Sequence, residues 1–274
     1  MKYIDNHAHL NFKIFENDLE DVLGRMKEAE VGAILVGTNK ATSAKAVELA
    51  EKYDNLWAIV GLHPIHTTES FHDEEEIGQE TPGFKSSGEE FDKEYYRKLA
   101  ESTKCVGIGE CGFDFYRLSP DLEEKQEKAF RGQVELALEL GKPLMLHMRS
   151  GNDKSAYTES LRVLKELGAK EGEAHFFAGT VEDAKEFLDL GFHISFTGVV
   201  TFAKQYKELV EAVPLERLLS ETDSPYVAPV PFRGKRCEPT FVIEVVKKMA
   251  EIKETPVGEF SEKILQNSKR LWKI

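Results

Sequence analysis

Residues 143–149 read Pro143-Leu-Met-Leu-His-Met-Arg149: a short apolar run that ends on a histidine, with an arginine two places further on. A run this short, flanked by a glycine–lysine step and lacking helical spacing, reads as a strand buried on both faces, the kind that parallel sheets use. The design recurs along the chain. Val106-Gly-Ile-Gly109 ends on Glu110, Leu56-Trp-Ala-Ile-Val-Gly-Leu62 ends on His63, Ala174 leads into His175, and Leu218-Leu-Ser-Glu-Thr222 leads into Asp223. At the start of the chain, His7 and His9 close the first such run as an HxH pair.

Working outward, strands are expected at Lys2–Asn6, Ala33–Gly37, Leu56–Leu62, Cys105–Gly109, Pro143–Leu146, Glu173–Phe176, Phe192–Phe196 and Leu218–Ser220. Between them the apolar residues fall three and four apart, as in Leu19, Val22, Leu23 and Met26, or Phe130, Val134, Ala137 and Leu138, which marks amphipathic helices. Glycines after Leu167 and Leu190 suit helix C-caps. Eight strands, each followed by a helix and the last by two, is the count of an α/β fold closed into a (β/α)8 TIM barrel. A doubly wound open sheet is the runner-up, but no glycine-rich phosphate loop follows the first strand. With no linker, repeat or low-complexity tract, residues 1–274 read as one barrel domain. Its single irregular stretch is an acidic insertion at about 66–91, after the third strand.

Composition narrows the function. The chain has 274 residues, a net charge of −13, 31% charged residues and 41% hydrophobic ones, which fits a soluble globular protein and argues against one that coats nucleic acid with a broad basic face. Ten acids and only two bases lie between positions 67 and 94, so the remainder of the chain is much nearer neutral and has room for local basic contacts. No apolar run approaches the length of a membrane span, and the opening MKYIDNHAHL lacks the apolar core of a signal peptide. Cys105, Cys111 and Cys237 form no CxxC pair and no even framework, which points to a reducing compartment, the cytoplasm.

The polar strand ends carry the chemistry. Alternate residues of a strand share a face, so His7 and His9 can chelate one cation. A barrel of about 250 residues divides into units of roughly 31. Glu110 to His147 and His147 to His175 each span one unit, and His9 to His63 and His175 to Asp223 span two. Side chains that recur at this period at C-terminal strand ends converge on one mouth. His7, His9, Glu110, His147, His175 and Asp223 are therefore expected to hold metal, and they are more than one tetrahedral ion needs. Two divalent cations sharing Glu110 use all six: His7, His9, Glu110 and Asp223 around one, Glu110, His147 and His175 around the other. Asp223 is the expected proton acceptor for the attacking water, His63 the donor to a phosphate oxygen or leaving group, and Arg149 a fork for phosphate. The basic run Arg233-Gly-Lys235-Arg236 follows the eighth strand on the same side, where barrels hold phosphate, so Arg149, Arg233, Lys235 and Arg236 are expected phosphate contacts. His66, His72 and His193 read as ordinary surface or core residues.

These segments together resemble the TatD family of metal-dependent hydrolases, within the amidohydrolase-like superfamily. Asp5-Asn-His-Ala-His-Leu10 is similar to its HxH signature, Gly61-Leu-His-Pro64 to its GxHP segment, and Gly109-Glu-Cys-Gly-Phe-Asp-Phe-Tyr116 to its GEIGLDYY segment. His147-Met-Arg149 and His175-Phe-Phe-Ala-Gly179 resemble its HxR and HxFxG motifs, and Glu221-Thr-Asp-Ser-Pro225 with Arg233-Gly-Lys-Arg236 its ETDSP and RGKRNEP blocks. The resemblance implies a TIM barrel, a divalent metal site, a cytoplasmic location and a deoxyribonuclease of the 3′–5′ exonuclease type. It departs from the family at Ser150, where many members carry Asp, at Cys237, where Asn is usual, and in the length of the acidic segment.

The expected function is thus a divalent-metal-dependent hydrolase, a probable DNase acting on DNA ends or short nucleic acid, with no membrane and no obligate protein partner. A small-molecule amidohydrolase or esterase with the same metals is the alternative, and a non-enzymatic binding protein stands third. Imidazole ligands favour Zn or Mn, whereas the resemblance points to Mg or Mn. The segment Thr67–Glu90, with eight acids against Lys85, is expected to act as a gate that repels polyanions from the mouth.

Overall fold

Val31-Gly-Ala-Ile-Leu-Val36 shows why the sheet closes on itself: every residue of this strand is buried, so both of its faces need cover. The computed structural model describes residues 1–72, 84–116 and 122–274, with the backbone alone described at 69–72 and 84–87. Eight parallel strands follow one another around a single-domain (β/α)8 barrel. They are β1 (Tyr3–Ala8), β2 (Val31–Val36), β3 (Leu56–Val60), β6 (Cys105–Asp114), β7 (Leu144–Arg149), β8 (Gly172–Ala174), β9 (His193–Phe196) and β10 (Leu218–Ser220). Helices alternate with them, and two, Val242–Ile252 and Val257–Trp272, follow the last strand. Gly168 and Gly191 end the helices before β8 and β9 in the left-handed conformation that glycine adopts without a steric cost. Among the described residues no helix is long and apolar enough to cross a membrane.

The seam between β10 and β1 closes the barrel, and it lies at the polar end of both strands. Ala8 bridges Ser224, the His9 N–H donates to the Ser224 carbonyl at 2.8 Å, and the Asp223 N–H donates to the His7 carbonyl at 2.9 Å. Below it, the Asp5 carboxylate accepts from the Thr222 N–H and hydroxyl at 2.8 and 2.5 Å.

The other end of the barrel is plugged by the C-terminal helix. Leu271 and Trp272 pack with Ile4, Ile34, Val36, Ile59, Val106, Met145 and Leu219, and the Trp272 Nε1–H donates to the Asn6 side chain at 3.0 Å. A Cβ on Gly107 would come within 2.8 Å of that indole, so only glycine lets the ring seat. A second, larger core lies between the barrel and its helices.

One expectation changes here, and one lies beyond test. The stretch at 66–91, read as irregular, contains an antiparallel ribbon, β4 (Glu69–His72) paired with β5 (Phe84–Ser87). Residues 73–83, on which much of the expected acidic gate falls, lie outside the described residues.

Because Trp272 is fully buried and holds one hydrogen bond, Trp272→Ala should destabilise the protein by about 3–5 kcal/mol. Urea unfolding measures it, and a loss below about 1 kcal/mol would show that the plug carries little of the packing.

Candidate metal centre

Each polar strand end is fixed by a local device before it reaches the centre. His9 and Asn11 both bond the Val36 carbonyl, at 2.9 and 3.0 Å, which ties the turn after β1 to the tip of β2. The Gly61–Leu62 turn after β3 is clamped from two sides. The buried Gln133 side chain bonds both the N–H and the carbonyl of Leu62, at 2.8 and 2.9 Å, and Ser43 meets Gly61. The next residue, His63, accepts from the Ile65 N–H through Nδ1 at 3.1 Å. In the neutral ring this puts the proton on Nε2, which faces the centre. Asp223 has φ 58°, a left-handed backbone unusual for a non-glycine residue, held by its N–H to His7 and by the Tyr226 N–H donating to its carbonyl.

Glu110 sits in the middle, 3% exposed. Its Oε1 lies 2.9 Å from His147 Nδ1, 3.2 Å from His175 Nε2 and 3.3 Å from His63 Nε2. Its Oε2 lies 3.4 Å from His7 Nε2. Asp223 Oδ1 is 3.4 Å from His9 Nε2 and 3.7 Å from His7 Nε2, and the two Nε2 atoms of His7 and His9 are 3.1 Å apart. The structure therefore gathers His7, His9, His63, Glu110, His147, His175 and Asp223 at one mouth.

Three of the imidazoles turn one nitrogen to this centre and have the other held by an acceptor. His9 Nδ1 meets the Val36 carbonyl, His147 Nε2 meets Asp114 at 3.0 Å, and His175 Nδ1 meets Glu221 at 3.2 Å. Glu221 also accepts from the Phe176 N–H at 2.6 Å. An acceptor behind each imidazole is what orients metal-ligating histidines. The donor set itself is nitrogen and carboxylate oxygen, which divalent cations such as Zn or Mn take up. Groups able to hold an ion are His7, His9 and Asp223; His63, Glu110 and His147; and His7, His175 and Glu221. The first coincides with part of the expected sharing. The other two differ from it by bringing in His63 and Glu221.

Glu221 and Asp114 have no role in the reading of the sequence. A signal for Glu221 was present, since it stands two residues before Asp223 at the end of one strand. Asp114 falls beyond the point where β6 was expected to end, yet it is the last residue of that strand.

The charges oppose burial. Burial pushes the Glu110 carboxyl up, but the imidazoles of His63, His175 and His7 outweigh it and hold the group well below the usual carboxylate range. Burial pulls His147 down, but its hydrogen bonds to Asp114 and Glu110 lift it to about 9. His175 rises well above its ordinary value because Glu221 and Glu110 outweigh the same penalty. His63 goes the other way, to about 4, through burial and the nearby His147.

The basic residues are dispersed. Arg149, exposed at the end of β7, lies with its guanidinium 3.8 Å over the Tyr116 ring. Arg233 stacks at 4.0 Å on Phe202, and Lys235 is exposed. Arg236, also expected as a phosphate contact, has its guanidinium on Asp18 and the Ile14 carbonyl and packs on Phe15, so its charge is paired. Two of the three departures from the family pattern, Ser150 and Cys237, serve local structure. Ser150 accepts the Ala156 N–H at 3.1 Å, and Cys237 is buried with its N–H on Pro225.

Residues 4–273 match the family described as "TatD related DNase". The chain is 36% identical to "Uncharacterized metal-dependent hydrolase YabD" of Bacillus subtilis, with 98% of each chain covered. It is 33% identical to "3'-5' ssDNA/RNA exonuclease TatD" of Pantoea ananatis, again over 98% of both. The solved structure of YjjV, a TatD homologue of Escherichia coli, superposes with a TM-score of 0.83 at 27% identity, covering 100% of this chain and 98% of that one. With its barrel, its histidine–carboxylate mouth and these relatives taken together, the chain belongs to the TatD family of metal-dependent hydrolases.

Proposed function

We propose that this metal-dependent hydrolase is a deoxyribonuclease of the 3′–5′ exonuclease type, working with two divalent cations that share Glu110. The observation that carries the reading is the split of that carboxylate, Oε2 toward His7 and Oε1 toward His147 and His175. His7, His9, Glu110 and Asp223 would hold one cation, and Glu110, His147 and His175 the other. Cations at such a site polarise a phosphoryl oxygen and bring the pKa of water near neutrality. Mg, Mn and Zn all remain candidates on this donor set, with imidazole nitrogen favouring Zn or Mn.

The protein groups divide the remaining work. Asp223, with Oδ1 turned to the centre, is placed to orient the attacking water and accept its proton. His63 presents Nε2–H from a clamped turn, which suits donation to a phosphate oxygen or to the leaving alkoxide. A nucleic-acid substrate is favoured by the rim. Tyr116 and Phe202 are 54% and 42% exposed, each beside an arginine, and an exposed ring with a cation offers a base a stacking face and its phosphate a partner. The named activity of the Pantoea relative supports the same substrate class.

Glu110→Gln should lower bound metal from about two ions per chain to one or fewer, because the shared charge is gone. Elemental analysis of the purified variant checks this, and undiminished metal would remove the bridge from the proposal.

Metal uptake should also depend on pH. His147, lifted to about 9, is protonated at neutral pH without a cation and must lose a proton to bind one, and His175 is shifted in the same direction. Affinity should therefore rise with pH through about 9, and Asp114→Asn should weaken that rise by removing one of the two groups that raise His147. Calorimetric titration in buffers of different ionisation enthalpy counts the released protons, and pH-independent affinity would contradict the assignment.

Arg149→Ala should reduce turnover of single-stranded DNA by about tenfold or more while sparing neutral esters, since a charge-assisted contact of about 1.5–3 kcal/mol is lost only with phosphate. Equal losses on both substrates in a folded variant would favour the small-molecule esterase reading instead.

A further inference from the structure

His193 opens β9, at the end of the barrel opposite the metal centre. Its side chain is buried and neither ring nitrogen has a hydrogen-bond partner. A neutral imidazole carries one donor and one acceptor, and buried groups of this kind are normally satisfied. The residue borders a recess of about 380 Å³, within the size range of small-ligand sites.

The lining is cationic where it is unpaired. Lys170, Arg217 and Arg270 share the cavity with Glu171 and Glu216. Both acids already have lysine partners outside it, Lys273 at 3.4 Å and Lys263 at 3.5 Å. Among the described residues, none of the three cations of the lining has a carboxylate within 4.0 Å. Arg217 donates to the Gly191 carbonyl at 2.8 Å, and Arg270 to the Asn267 side chain at 2.6 Å, both neutral acceptors. The two guanidinium groups thus have no carboxylate in ion-pair contact, although Arg270 is near enough to Glu216 for its charge to act on it. The buried His193 and the two arginines border the same recess.

We propose that this recess binds a small phosphate-bearing anion, with Arg217 and Arg270 on the phosphate oxygens and the buried His193 ring beneath them. Guanidinium forks match phosphate in geometry and charge, and a dianion answers two arginines and a lysine where a single carboxylate does not. Burial, with Arg217 and Arg270 close by, lowers His193 to about 4, so the ring is neutral and adds no charge of its own beside the anion. The site draws on the loops before β8, β9 and β10 and on the last helix, none of which supplies a group to the metal centre. It does not depend on the nuclease reading.

The test is a titration of the Zn-loaded full chain, labelled at histidine nitrogen, with inorganic phosphate and separately with a 5′-deoxynucleoside monophosphate. Chloride at matched ionic strength is the control. His193→Asn assigns the ring signals, which separates this recess from any anion bound at the metal centre. A saturable shift of the His193 ring with either probe is expected, and Arg217→Met with Arg270→Met should weaken it by about tenfold or more. Saturation by phosphate alone identifies the anion as sufficient, and saturation only by the nucleotide shows that the organic body contributes. A His193 ring unmoved by both probes at tens of millimolar overturns the proposal, as does full affinity in the double variant. If that variant does not fold, the titration of the unaltered protein decides.

Discussion

A carboxylate surrounded by four imidazoles is the constraint from which the mouth of this barrel is built. Glu110 is buried, ionised and within 3.4 Å of nitrogens from His7, His63, His147 and His175. A buried charge is tolerated only when partners replace the water it has lost. Those partners arrive from β1, β7 and the turns after β3 and β8, so no local segment can satisfy Glu110 by itself. Closing the sheet does. The same closure that hides the apolar strands brings these groups together.

Behind the imidazoles stands a further set of acceptors, and it decides what the site prefers. Asp114, Glu221 and the Val36 carbonyl hold the far nitrogens of His147, His175 and His9. They fix ring orientation and enrich the mouth in negative charge, so the centre favours cations and His147 and His175 stay basic. Water-facing groups around it differ in kind: exposed rings paired with arginines rather than acids. The rim is thus suited to anions and the floor to cations, a division that fits hydrolysis of a charged ester.

Much of this was legible because barrel strands advertise their ends. Each short apolar run stops on a polar residue, and the period of those residues is the period of the fold. Boundaries were harder. β6 continues to Asp114 because Cys111, Phe113 and Asp114 go on pairing with β7, whereas a polar Glu110 reads as the tip of the strand. Asp114 was missed for that reason. Glu221 was missed because its partner, His175, is distant in sequence, and only the fold reveals the contact. The ribbon β4–β5 was missed because its strands, Glu69–His72 and Phe84–Ser87, are four residues each and mostly polar. Arg236, expected as a phosphate contact, is paired with Asp18, far away in the chain. Charge partners across long sequence separations are the information a single sequence carries least well.

The seam of the barrel has a consequence for how the fold and the metal depend on each other. His7 and Asp223 lie on opposite sides of it, and their backbones are bonded to each other across the gap. A cation engaging both side chains acts as a rivet on the join between the first and last strands. Such a rivet fits the closed ring and not the parted one, so by mass action occupancy and closure strengthen each other. The first and last strands, already joined at the mouth by the peptide hydrogen bonds of His9 and Asp223, would be held in register by an ion as well.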